Sequence, residues 1–100
     1  MGNARKPYWR TFGTPRTLVL YRTPDRWRYA VYFENPRGIA DGALDRPAVS
    51  CEPETAQAAM RLKAAELTCR ELDVDWAATD QPGWWTGAVT RVGPLPDTDG

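Results

Sequence analysis

Arginines alternate with flat rings through the first half of this chain. Residues 1–46 carry nine cations (Arg5, Lys6, Arg10, Arg16, Arg22, Arg26, Arg28, Arg37, Arg46) against four anions, a net of +5. Residues 47–100 carry four against nine, a net of −5. Eight of the eleven aromatics lie in the basic half. A guanidinium can meet a phosphate through paired hydrogen bonds, and a ring offers its face to a base. On these grounds Arg10, Arg16, Arg22, Arg26 and Arg28 are candidates for phosphate contact, and Tyr32 and Trp84 for stacking. The competing reading is that the arginines are solvated residues on the outer side of a half-buried sheet. Arginine outnumbers lysine eleven to two. A GC-rich genome produces the same bias, so arginine identity alone argues little. The whole chain has a formal net charge of zero, which argues against a general polyanion binder. Only local patches are left to steer a charged ligand.

Other chemistries are excluded by what the chain lacks. There is no histidine, and Ser50 is the only serine. A Ser-His or Cys-His nucleophile cannot be assembled within this chain. Two cysteines without histidine cannot close a structural zinc site. Asp73, Asp75 and Asp80 lack the glycine and the final glutamate of a calcium loop, and read as a solvated acidic face. No catalytic residue, metal or cofactor is expected; the reading is of a binding module and not an enzyme. Cys51 and Cys69 read as small core residues with reduced thiols. No apolar stretch follows Met1-Gly2-Asn3-Ala4-Arg5-Lys6, and the longest apolar runs are a few residues. Neither a signal peptide nor a membrane span is expected, and a cytoplasmic location follows.

These side chains must be held by short elements. Residues 1–16, broken by Pro7, Gly13 and Pro15, read as a basic arm that Tyr8, Trp9 and Phe12 could anchor. Residues 17–22 and 27–34 read as strands joined by the turn Thr23-Pro24-Asp25-Arg26. Alternation sets Trp27, Tyr29, Val31 and Phe33 on one face, and Arg28, Ala30, Tyr32 and Glu34 on the other. Arg16, Arg22 and Arg26 are expected beside Arg28 on that second face or its rim. Asn35-Pro36-Arg37-Gly38 is a turn signal, which leaves residues 39–44 as a loop or ragged strand. Residues 48–51, behind Pro47, read as a short edge strand. A helix is expected from Pro53, with Glu52 and Glu54 complementing its dipole. Ala58, Leu62, Ala65, Cys69 and Leu72 form its main apolar stripe. A second stripe of Ala56, Met60 and Leu67 lies roughly opposite and is the candidate partner interface. Residues 72–78 fit either a strand or an extension of the helix, and residues 84–92 a final strand. One of Trp84 and Trp85 should point to the core and the other outward. Residues 17–92 then make a single domain, and residues 93–100 a disordered tail. The fold class is α+β: an antiparallel sheet of three to four strands (β-β-β-α-β) packed on one long helix, in two layers.

The run Trp27-Arg28-Tyr29-Ala30-Val31, a glycine-bearing turn, a further strand, and then Thr55-Ala56-Gln57-Ala58-Ala59 opening a helix resembles the arm-type DNA-binding domain of tyrosine recombinases. That resemblance implies a sheet that docks in a major groove. Glu54-Thr55-Ala56-Gln57-Ala58-Ala59 followed by Lys63-Ala64-Ala65-Glu66-Leu67 is similar to the helix of HicB-type antitoxins, although residues 45–51 depart from that family's pattern. Two functions follow as expectations. One is nucleic-acid binding, to DNA or RNA, through the basic aromatic arm and hairpin. The other is a protein-interaction or regulatory subunit, a homodimer included, that uses the Met60 and Leu67 stripe.

Overall fold

A computed structural model of the chain describes residues 13–94. Residues 1–12 of the expected arm, Arg10 among them, and residues 95–100 of the tail lie outside the described residues. The elements run β1 (Thr14–Arg22), β2 (Trp27–Glu34), β3 (Gly38–Ala43), α1 (Pro53–Thr68), β4 (Leu72–Ala78) and β5 (Trp84–Val92). The class is α+β. All five strands join one antiparallel sheet in the order β3-β2-β1-β5-β4, one strand more than the sequence anticipates. No helix among the described residues is long and apolar enough to cross a membrane.

The front hairpin forms as expected, with Leu18 opposite Val31, Leu20 opposite Tyr29 and Arg22 opposite Trp27. β1 starts earlier than its apolar run, at Thr14. The register shifts between Pro15 and Thr17, so Arg16 has no partner on β2. A bulge is where a strand tolerates proline, which has no N–H for the ladder.

The third strand differs from expectation. It is Gly38–Ala43, the stretch read as a loop or a ragged strand, and not residues 48–51. Its inward positions Gly38, Ala40 and Gly42 are small enough to pass close over β2; a Cβ on Gly42 would stand 2.9 Å from Tyr29 Oη. Residues 48–51 instead form a turn, closed by Cys51 N–H donating to Ala48 O at 3.1 Å. Trp27 Nε1–H pins that turn by donating to Ala48 O at 3.2 Å, and Arg22 donates to Cys51 O at 2.9 Å. Its carbonyls are spent on the hairpin's end and not on a ladder.

α1 starts at Pro53 and stops at a left-handed Cys69 (φ 54°), whose N–H bonds Ala65 O. It buries Ala56, Met60, Ala64 and Thr68, an i, i+4 row, and the Thr68 hydroxyl is satisfied by Ala64 O at 2.8 Å. This inverts the two stripes. Ala56 and Met60 are core, Leu67 is part-buried against the core, and none of them forms a free partner surface. Ala58 and Cys69 are exposed, and Leu62 is 58% exposed. The reason lies in the sheet. Large inward side chains, Trp27, Tyr29, Phe33 and Trp85, already fill its face. A row of alanines with one methionine lets the helix approach them closely. Leu62 turns toward β3, whose inward positions carry no side chain long enough to reach it.

After Leu72 the chain is a strand. β4 pairs with β5, as in Trp76 opposite Gly87 and Ala78 opposite Trp85.

Candidate binding face

Alternation and register together define the face that the helix leaves open. One row across the sheet holds Ile39 (β3), Tyr32 (β2), Thr17 (β1), Ala88 (β5) and Asp75 (β4). The next holds Asp41, Ala30, Val19, Thr86 and Ala77. A third holds Ala43, Arg28, Tyr21 and Trp84. Rows on one face lie about 6.6 Å apart, two residues along a strand. Ile39 and Tyr32 are 63% and 41% exposed and sit directly opposite each other on adjacent strands. They are two of the three large apolar side chains standing out from the described residues; Leu62 is the other.

The third row is aromatic. Tyr21 and Trp84 stack with centroids 4.2 Å apart and planes 11° apart. Trp84 is therefore a part-buried member of a pair, not a lone platform. Trp85 points the other way and packs against the core, tilted 5.6 Å from Trp27.

The arginines do not gather on this face. Arg28 lies on it, and makes no ion pair among the described residues. Arg22 shares the parity of Leu18 and Leu20, not of Arg28. Its guanidinium carbon stands 4.4 Å over the Trp27 ring, and its NH2 group is bonded to Cys51 O. It closes one end of the core, which corrects its expected place on the outer face. Arg26 sits in the β1–β2 turn, 3.6 Å from Asp25. Arg16, on its bulge, lies 3.3 Å from Glu34. Both pairs are more than half exposed and each stabilises by at most about 1 kcal/mol. They quiet these charges without locking them.

At the far end of the sheet Arg91 donates to Asp73 at 2.7 Å. That hydrogen bond, with the carboxylate's charge, holds the Arg91 guanidinium above its usual range. On the guanidinium's side that contribution is lost only in strongly alkaline solution, and it requires the Asp73 carboxylate to stay ionised. Asp75 and Asp80 are exposed. Among the described residues no group of three or more cysteine, aspartate and glutamate side chains is placed to hold a metal ion. Cys51 and Cys69 are free thiols; Cys51 is part-buried as expected, while Cys69 is exposed at the helix end and not in the core.

Among the described residues the open face thus carries Arg28 without an ion pair, the carboxylates Glu34, Asp41 and Asp75, of which Glu34 pairs with Arg16, and a band of apolar and small side chains. The periodicity of β2 located Tyr32 and Arg28. Ile39 and Val19 were missed, because nothing in the sequence paired Ile39 with Tyr32. Comparison with family models, curated proteins and solved structures gave no match to this chain.

Proposed function

We propose that this protein is a small non-catalytic binding module whose working surface is the helix-free face of the sheet, and that its ligand is a protein surface. The observation that carries this reading is the cross-strand pair of Ile39 and Tyr32, exposed on a face of mixed charge. Apolar side chains grouped in the open mark interaction sites more often than isolated ones do. Affinity capture with the wild type, Tyr32→Asp and the remote control Ala58→Lys tests it. Tyr32 lies on β2, inside the sheet, so its replacement alters the face and no strand edge. A protein held by the wild type and the control but lost with Tyr32→Asp is the expected result. Equal retention by all three sinks the reading.

A second reading, single-stranded nucleic acid, is favoured by Arg28 lying one strand from the Tyr21–Trp84 stack. Such binding weakens steeply with salt. Fluorescence anisotropy with mixed-sequence DNA and RNA oligonucleotides should then show a falling affinity from low to physiological salt. Arg28→Ala should weaken binding and flatten the salt slope by about one phosphate contact. No binding at any salt concentration removes this reading and leaves the first.

A further inference from the structure

The β3 edge and the groove beside it make one site. Leu44 N–H donates to Trp27 O at 2.9 Å, just beyond the pair of Ala43 with Arg28. Bonded and non-bonded pairs alternate along an antiparallel ladder. Gly38, Ala40 and Gly42 therefore turn their backbone groups to β2, and Ile39, Asp41 and Ala43 turn theirs outward. Among the described residues no hydrogen bond outside the ladder reaches any of those three. A row of unpaired N–H and C=O groups is a template for another strand.

The inner side of this edge is also incomplete. α1 packs on β4, β1 and β2 but not on β3. A groove of about 460 Å³ remains between the helix and the end of β3, with Ala43, Leu44, Ala59 and Leu62 as its apolar part and Asp45, Arg46, Lys63 and Glu66 as its charged part. An added strand would turn alternate side chains toward this groove, opposite Ala40 and Gly42, which project little of their own.

Charge selects the occupant. Asp41 lies at the middle of the outward-bonding row, exposed and without an ion pair among the described residues. Arg28, its diagonal neighbour on β2, is not within ion-pair distance of it. A second copy pairing antiparallel about this position would set two Asp41 carboxylates opposite each other, which is unfavourable. A lysine or arginine at that place is favourable.

We propose that the β3 edge accepts an extended segment of a partner protein as a sixth, antiparallel strand, with a basic residue opposite Asp41 and apolar residues turned into the groove. Recognition by strand addition uses the main chain for affinity and alternate side chains for specificity. This goes beyond the face-binding reading, because it uses the backbone edge.

The probe is a nine-residue peptide of alternating valine and threonine with lysine at its centre, added to the full isotope-labelled chain. Before addition, the Ile39, Asp41 and Ala43 amides should exchange with solvent freely; with peptide they should become protected. A peptide with glutamate for the lysine should bind about five-fold more weakly. The variant Asp41→Lys should reverse that preference, with β1 and β2 amide shifts unchanged as the check that it folds. A peptide N-methylated along its bonding edge should not bind. The proposal fails if that methylated peptide binds equally well. It also fails if the three amides are already protected in the free protein, whether by a second copy seen in light scattering or by the chain's own residues 1–12.

Discussion

At the scale of single residues, the backbone at Cys69 and at Gly87 carries strain and crowding that composition does not show. Cys69 holds φ 54° at the end of α1, and its thiol's contact to Glu66 O is long, 3.8 Å. Glycine reaches that conformation without a Cβ penalty of about 1 kcal/mol. Cys69→Gly should therefore raise the urea midpoint, by a gain of up to about 1 kcal/mol offset in part by unfolded-state entropy. A lowered midpoint would show that the thiol has packing value there. Gly87 is the opposite case. A Cβ on it would stand 2.5 Å from Val74 Cγ1 and 3.1 Å from the Trp76 ring. Gly87→Ala should cost roughly 1–3 kcal/mol in a denaturant melt, because β4 must move to make room. An unchanged melt would mean that β4 gives way freely. The alternation of β2 predicted Trp27 as core, and it is fully buried. Its indole bond to Ala48 was not legible, since it joins residues 21 apart through a turn that forms only in the fold; its cover by Arg22, its partner across the hairpin, was missed because Arg22 is expected toward the outer face or its rim.

At the scale of elements, periodicity located β1, β2, α1 and β5 within a few residues, left residues 72–78 between strand and helix and residues 39–44 between loop and ragged strand, and chose the wrong face of α1. Counting apolar residues favours Leu62 and Cys69; burial favours Ala56, Met60, Ala64 and Thr68. The two choices separate by experiment. Met60→Ala should destabilise by about 2–5 kcal/mol, as truncation in a filled core does. Leu62→Lys should stay within about 0.5 kcal/mol of the wild type, as exposed substitutions do. A large loss at Leu62 with little at Met60 in chemical unfolding would reverse the assignment of the buried row. β3 stayed open between loop and ragged strand because Gly38, Ala40, Asp41 and Gly42 are poor strand formers. A strand of such residues is made by the ladder that β2 offers, since sheet propensity depends strongly on neighbours.

At the scale of the whole molecule, the two halves lie side by side in the sheet, β3-β2-β1 of the basic half against β5-β4 of the acidic half. The ion pairs form within each half, Arg16 with Glu34 and Arg26 with Asp25 in the first and Arg91 with Asp73 in the second. The Arg16, Arg26 and Arg91 pairs are exposed and should matter little together; 1 M salt should shift the thermal midpoint only slightly. A large fall would mean that these pairs act as a network. The sequence by itself determined the class, the front hairpin, the existence and start of the helix, and the chemistries that a chain without histidine cannot perform. These follow from local geometry: residue alternation, turn residues and the absence of side-chain types. Only the tertiary structure decided which helix face is buried, which arginines lack an ion pair among the described residues, and that Ile39 stands beside Tyr32 on the outermost of the described strands. Those depend on register between strands far apart in the chain, and register is set by how the whole sheet closes over one helix.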